Sequence, residues 1–192
     1  MIDLTRLTLD APRDPKSVAE QLLGLGLTRP QIISLFAVSV CLSVISLFVS
    51  NVSMNGGGPF KFVVGPGLVM GPLPVAIMIF VMTLVSALAS SRIGQMFGGR
   101  GDFNALLIVM SWLQWMQFVF QMVSTLLSFI SIALSGLVSL VIFVLTLWMF
   151  VSMVDRAHAF ESALKSIVTI VLGSTVAGVS VGFVAIMFAG AM

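Results

Sequence analysis

Long apolar segments separated by short polar ones run through almost the whole 192-residue chain. A membrane-spanning helix needs about 20 consecutive apolar residues. Five segments meet that length, at about residues 32–52, 73–91, 104–127, 137–153 and 167–188. The third and fourth share a stretch without charge between Asp102 and Asp155, which is too long for one helix. We place the break near Ser128 to Gly136, where small residues lie between two bulkier runs.

The first 30 residues are polar enough to form a separate tail. Asp14-Pro15 is a typical helix start, and Ser17 with Glu20 has the spacing of a capping box. Val18 and Leu22 begin one apolar face. The pattern therefore predicts a short amphipathic helix on the cytoplasmic leaflet. The fold class we expect is all-α: a polytopic membrane protein with this tail, 1–30, and a five-helix transmembrane domain, 31–192.

Composition supports a membrane location. Hydrophobic residues make up 59% of the chain and charged residues 8%, whereas a soluble domain carries about 25% charged residues. A net charge of +2 gives no sign of nucleic-acid binding. Cys41 is the only cysteine, which excludes a disulfide framework. The expected partners are the lipid bilayer and either other membrane proteins or a second copy of the chain.

The few charges are distributed unevenly between the two sides of a five-span topology. One side receives eight Lys and Arg residues, and the other receives only Lys61. Positive residues collect on cytoplasmic loops. We therefore expect the N-terminus in the cytoplasm and the C-terminus outside, which for a bacterial inner membrane is the periplasm.

The expected spans contain no ionisable side chain, although such groups usually mark ion paths and proton relays. Uncharged polar residues recur instead on single helical faces. They form a polar stripe on spans one and three, at Ser39, Ser43, Ser46, Gln114, Gln117 and Gln121. One interpretation is hydrogen bonding between helices, and the other is a polar cavity floored by the glutamines. No metal or cofactor is predicted.

Span five carries small residues at steps of four, namely Ser174, Gly178 and Gly182. Small residues allow helix backbones to approach closely. We therefore predict that this face allows close helix contact, and that Gly178→Leu destabilises the folded bundle or its oligomer by overpacking.

The two expected cytoplasmic loops are the most distinctive segments. The first contains Gly98-Gly99-Arg100-Gly101, which favours a tight turn, and Asp102 can cap the next helix. The second contains His158, the only histidine, for which a solvated or capping role and a pH switch are both open. Its Glu161-to-Lys165 spacing favours a helix running directly into span five. The predicted cytoplasmic interaction surface consists of Arg92, Gly98, Gly99, Arg100, Asp102 and His158.

The order and spacing of three motifs resemble the Yip-one domain family, membrane proteins first described as partners of Ypt/Rab GTPases. The motifs are the tail segment DPKSVAEQLLGLGL, the Gly98-to-Gly101 turn and the helix around His158. The resemblance implies five spans and a role in membrane trafficking or organisation through partner binding. The tail of about thirty residues is shorter than in eukaryotic members and is similar to bacterial ones, so Rab binding is not carried over.

Three functions remain open at this stage. The leading hypothesis is a non-enzymatic scaffold that organises lipids or partner proteins in a bacterial inner membrane. The alternative is a small channel or carrier for a neutral or lipidic solute, which would use the polar stripe. An enzyme is the third, and its acid–base candidates are Asp102, Asp155, His158 and Glu161.

Overall fold

The computed structural model describes residues 3–54, 62–65 and 68–189. Five long helices carry most of the chain, and they follow two short ones. The helices are α1 (Leu4–Asp10), α2 (Pro15–Leu23), α3 (Arg29–Met54), α4 (Pro72–Met96), α5 (Phe103–Ser128), α6 (Ile132–His158) and α7 (Ala163–Ala189). The five long helices are apolar enough to cross a membrane. The predicted all-α class, with five spans and a short amphipathic helix before them, is confirmed, and the protein is an integral membrane protein.

Side-chain caps explain where several helices begin. The carboxylate of Asp14 accepts a hydrogen bond from the backbone N–H of Ser17 at 3.1 Å, so the N-cap of α2 lies three residues before Ser17, the cap of the predicted capping box. Asp102 caps α5 in the same way through the N–H of Ala105, at 2.8 Å. The Ser131 hydroxyl caps α6 through Leu134. The α5–α6 break therefore lies at residues 129–131, inside the segment predicted for it.

The long helices form a ring in the order α3, α5, α6, α7, α4, and a further α4–α5 contact crosses its middle. The bundle has two ends, the loop face and the hairpin face. The loop face holds the start of α3, residues 97–102 between α4 and α5, and residues 159–162 between α6 and α7. The hairpin face is the opposite end, where α4 and α6 begin.

The tail packs on the bundle instead of lying on the membrane by itself. The apolar face of α2, with Val18, Ala19 and Leu22, is buried against α5 and α6 in the main core. The α1 helix was not predicted, and its Leu7 joins the same core. The Thr8 hydroxyl accepts a hydrogen bond from Trp115 Nε1 at 3.0 Å. Since Trp115 lies about 18 Å along α5 from its start, the tail covers the flank of that helix as well as its end.

Burial along α6 shows where the tail replaces lipid. Large exposed apolar side chains run from Leu134 to Trp148, and from Met149 to Asp155 most side chains are buried. Trp148 remains 53% exposed at the boundary, a position typical of interfacial tryptophans. Trp112 is buried in the core instead. The tail helices α1 and α2 therefore cover the loop-face ends of α5 and α6, and we call these two helices the tail collar.

The described residues between the first two spans include a two-stranded antiparallel hairpin, β1 (Phe62–Gly65) and β2 (Leu68–Met70). Phe62 pairs with Met70, and the register shifts between Val63 and Gly65.

Candidate functional site on the loop face and in the bundle interior

His158 is the centre of the loop face. Its side chain is fully buried, so the predicted solvated role is wrong. The ring stacks on Phe160 with centroids 4.8 Å apart and planes 4° from parallel. Its Nδ1 donates to the carbonyl of Val154 at 3.2 Å. Three glycines enclose it: a Cβ at Gly94 would overlap the imidazole, and a Cβ at Gly99 or Gly101 would lie 2.7 or 2.8 Å from Cδ2.

Backbone bonds then join the two loops around this ring. The N–H of Arg100 donates to the carbonyl of His158 at 2.9 Å. The carbonyl of Gly101 accepts from Ser91 Oγ at 3.2 Å and from Gln95 Nε2 at 3.1 Å. Ala159 and Glu161 both have φ of 53°, which ends α6 and prevents the continuous helix that we predicted into span five. The loops therefore form one interlocked unit.

Asp155 ties the tail to the same unit. Its Oδ2 lies 2.6 Å from Lys16 Nζ on α2, and its Oδ1 accepts from the N–H of Ser162 at 2.9 Å. The hydroxyl of Ser166 on α7 donates to Oδ1 at 3.3 Å. A second ion pair joins Arg156 to Glu20. No local pattern predicts that Lys16 pairs with Asp155, because the two residues are 139 positions apart in the chain.

Five cations remain exposed on this face with no ion pair to any described residue. They are Arg13, Arg29, Arg92, Arg100 and Lys165. Of the predicted interaction surface, Arg92, Gly98, Arg100 and Asp102 are exposed, Gly99 is half-buried and His158 is internal. The loop face is therefore a cationic surface supported by a rigid interior.

The four acid–base candidates for an enzyme are not assembled into a cluster. Asp102 is used as a helix cap and Asp155 as the tail anchor. His158 is enclosed by glycines, and Glu161 points into solvent. Across the described ranges no group of three His, Cys, Asp or Glu side chains could hold a metal ion.

The polar stripe divides into members with different roles. Gln114 joins three helices: Oε1 accepts from Ser39 Oγ on α3, and Nε2 donates to Thr83 Oγ1 on α4, both at 2.7 Å. Gln121 bonds within α5, to Thr125 at 3.4 Å. The side-chain amide of Gln117 is exposed and makes no hydrogen bond to the described residues, so the interpretation as hydrogen bonding between helices does not extend to it. Ser43 donates to the carbonyl of Ser39 in its own helix.

Two neighbouring cavities lie between the helices. The larger, about 590 Å³, is lined by α3, α4, α5 and α6, and it includes Ser43, Ser46, Gln117 and Gln121. The exposed side chains of Phe143 and Leu147 also line it, so this cavity is not enclosed by the bundle. The smaller, about 200 Å³, is lined by α4, α5, α6 and Ser174 of α7. Gln114, Gln117, Thr146 and Phe150 line both cavities.

The small residues of span five do not pack as predicted. A Cβ at Gly178 or Gly182 would meet no heavy atom of the described residues within 4 Å. The close approach is at Gly173, where a Cβ would overlap Ser90 Oγ and lie 3.2 Å from the Ser90 Cα. Gly173 faces α4 while Gly178 is exposed, so the stripe at steps of four selected the wrong face.

Comparison with known proteins gives the family. The model of the Yip1 domain matches residues 11–188, nearly the whole chain. The chain belongs to the Yip1 domain family. No curated protein and no solved structure matched it. The matched range includes α2, the His158 unit and all five spans of this Yip1 domain, so the described fold and the family domain coincide.

Proposed function

We propose that this Yip1 domain protein is a non-enzymatic scaffold that gathers anionic lipids at its loop face. The observation that carries the proposal is the set of five exposed cations without ion pairs in the described residues. A basic side chain near an anionic membrane surface contributes about 1 kcal/mol of attraction. Several such groups at the end of one bundle favour anionic over zwitterionic headgroups around it.

The rigidity of the face supports a scaffold. Arg100 has its backbone fixed by the bond to His158, and Arg92 lies two residues before the enclosed Gly94 on α4. A cation held on an ordered backbone loses less conformational entropy when a headgroup binds. The tail collar adds Arg13 to this surface because α2 is anchored through Asp155.

The orientation belongs to the same proposal. The eight Lys and Arg residues of the tail and the two loops, against Lys61 alone on the other side, favour a cytoplasmic loop face. The cytoplasmic leaflet is also where anionic lipids attract basic segments. We place the protein in a bacterial inner membrane, with its C-terminus in the periplasm, on the resemblance described above.

The channel or carrier alternative rests on the interior cavities. Between the smaller cavity and the loop face, α5 and α6 present fully buried side chains, including Leu106, Val109, Met149 and Met153. Packing of this kind leaves no open path to the loop face. The scaffold is therefore the better supported function, and the cavities are treated separately below.

Lipid analysis of the purified protein tests the proposal. The protein, extracted in mild detergent, is expected to retain anionic phospholipids above their share in the source membrane. Arg92→Gln/Arg100→Gln should lose this enrichment, and Arg92→Lys/Arg100→Lys, the matched control, should keep it. Retained lipids that match the bulk composition in all three samples would refute the proposal, as would a protein that co-purifies in place of the lipids.

A further inference from the structure

The two interior cavities differ from the loop face in chemistry. No acidic or basic side chain is among their lining residues, which are all described. An ionised ligand would be left without a counter-charge inside the bundle, which is expensive. The cavities therefore select a neutral molecule.

An unpaired polar group nevertheless favours a hydrogen-bonding occupant. The Gln117 amide is exposed, lines both cavities near the middle of α5 and has no partner among the described residues. An amide left without a hydrogen bond at membrane depth costs free energy. An apolar molecule alone would not meet this need, and a hydroxyl or amide group would.

Aromatic and aliphatic side chains form the rest of the wall. Phe118, Phe143 and Phe150 line the larger cavity beside the polar stripe. Its volume of about 590 Å³ lies in the range of small-molecule sites, about 300–1,000 Å³. A ligand that matches this wall has an apolar body and one polar, uncharged head.

The site is closed towards the loop face. The smaller cavity reaches Met110 on α5 and Phe150 on α6, and Val109 and Met153 beyond it are fully buried. The larger cavity extends the other way, towards the hairpin face, where Ser124 and Ser139 line it. Gln117 lines both cavities and therefore lies where they meet.

We propose that the two adjoining cavities form a binding site for one neutral amphiphile with a hydroxyl or amide head, held by Gln117. The proposal is independent of lipid binding at the loop face. It assigns to Gln117 a ligand-binding role, whereas Gln114 joins helices.

Photolabelling of the full-length protein with 3-azioctanol, a neutral photoreactive alcohol, tests this site. Adducts should concentrate on the α5 and α6 peptides that contain Gln117 and Thr146, and excess octanol should compete while octanoate should not. Gln117→Leu should weaken the apparent affinity by about three- to tenfold, the loss of one hydrogen bond. Gln95→Leu, which changes an amide outside the cavities, should leave it unchanged.

Thr146→Phe provides a second variant because it fills both cavities and retains Gln117. It should abolish labelling of these peptides in protein that keeps the melting temperature of the parent. Adducts spread evenly over lipid-facing peptides, equal competition by octanoate, or an unchanged affinity in both folded variants would overturn the proposal.

Discussion

Lys16 Nζ lies 2.6 Å from Asp155 Oδ2 and joins the tail helix α2 to the end of α6. Lys16 is half-exposed, whereas the Asp155 side chain is 5% exposed and also accepts bonds from Ser162 and Ser166. The carboxylate therefore connects three segments: the tail, the loop of residues 159–162 and the start of α7. The cation is only one of its partners.

This difference in burial predicts that replacing Asp155 lowers the free energy of unfolding more than replacing Lys16. Asp155→Ala should lower the free energy of unfolding by about 2 kcal/mol, because it leaves the part-buried N–H of Ser162 unpaired and removes the bonds from Lys16 and Ser166 as well. Lys16→Met should cost about 0–1 kcal/mol, since a half-exposed ion pair is screened by solvent. Unfolding of the purified variants in detergent measures both, and equal losses would show that the ion pair dominates.

The enclosure of His158 gives the second prediction. Gly94→Ala should destabilise the protein by about 1–3 kcal/mol, because the added methyl group overlaps the imidazole. Gly136→Ala on α6 is the matched control, since its Cβ meets no described atom within 4 Å, and it should be neutral or stabilising. His158→Ala should restore part of the loss in a Gly94→Ala background. A Gly94→Ala variant that melts like the parent would contradict the described packing.

A third prediction compares two glycines of α7. Gly173→Ala should destabilise the α4–α7 contact, because the new Cβ would crowd the backbone at Ser90. Gly178→Ala should not, since its surroundings in the single chain are open, so the predicted packing of Gly178 within the bundle was wrong and its packing in an oligomer stays a prediction. Thermal melting in the same detergent separates them, and a larger loss at Gly178 would point to contact with a second copy.

The glutamines provide the fourth prediction. Gln114→Leu should cost about 1–2 kcal/mol, because Ser39 and Thr83 on two other helices lose a partner. Gln117→Leu should change stability by less than about 1 kcal/mol. Vesicles with parent or Gln117→Leu protein should be no more permeable to glycerol than protein-free vesicles. Selective glycerol leakage in the parent, lost in the variant, would favour the channel.

Orientation is the fifth prediction, and the exposure of each side chain decides which positions are suitable for labelling. A cysteine at Gly99 would strain the loop because its Cβ would lie 2.6 Å from Phe160. Met96 and Ile130, at opposite ends of the bundle, are 84% and 77% exposed. With Cys41, which is exposed, replaced by serine, an impermeant maleimide should label Ile130→Cys from outside. Met96→Cys should react only after permeabilisation, and the reverse pattern would invert the topology.

Hydrophobic segments and charge spacing were sufficient to predict the number of spans and the position of the break between α5 and α6. These features are local, because a span is set by length and apolarity. The tail helix was also predicted from local capping signals, although its cap was placed three residues late. Its burial against α5 and α6 depends on contacts between distant segments, such as Thr8 with Trp115, which no local pattern encodes.

The site was predicted only in part for the same reason. The Gly98-to-Gly101 turn and His158 were selected separately, but the enclosure of the ring also requires Gly94 on α4. A glycine one turn before a glycine-rich loop was the available signal. Glycines lie on two faces of α7, and helical periodicity alone does not determine which face contacts α4.

The most direct test of the loop-face proposal is lipid selectivity in reconstituted vesicles. Spin-labelled phosphatidylglycerol and phosphatidylcholine report the fraction of each lipid that is immobilised at the protein surface. The proposal predicts that the parent selects phosphatidylglycerol, that added salt weakens the selection, and that Arg92→Gln/Arg100→Gln lowers it severalfold while the paired lysine variant keeps it. Equal immobilisation of the two lipids by the parent would contradict the proposal, as would a selectivity unchanged by the glutamine substitutions.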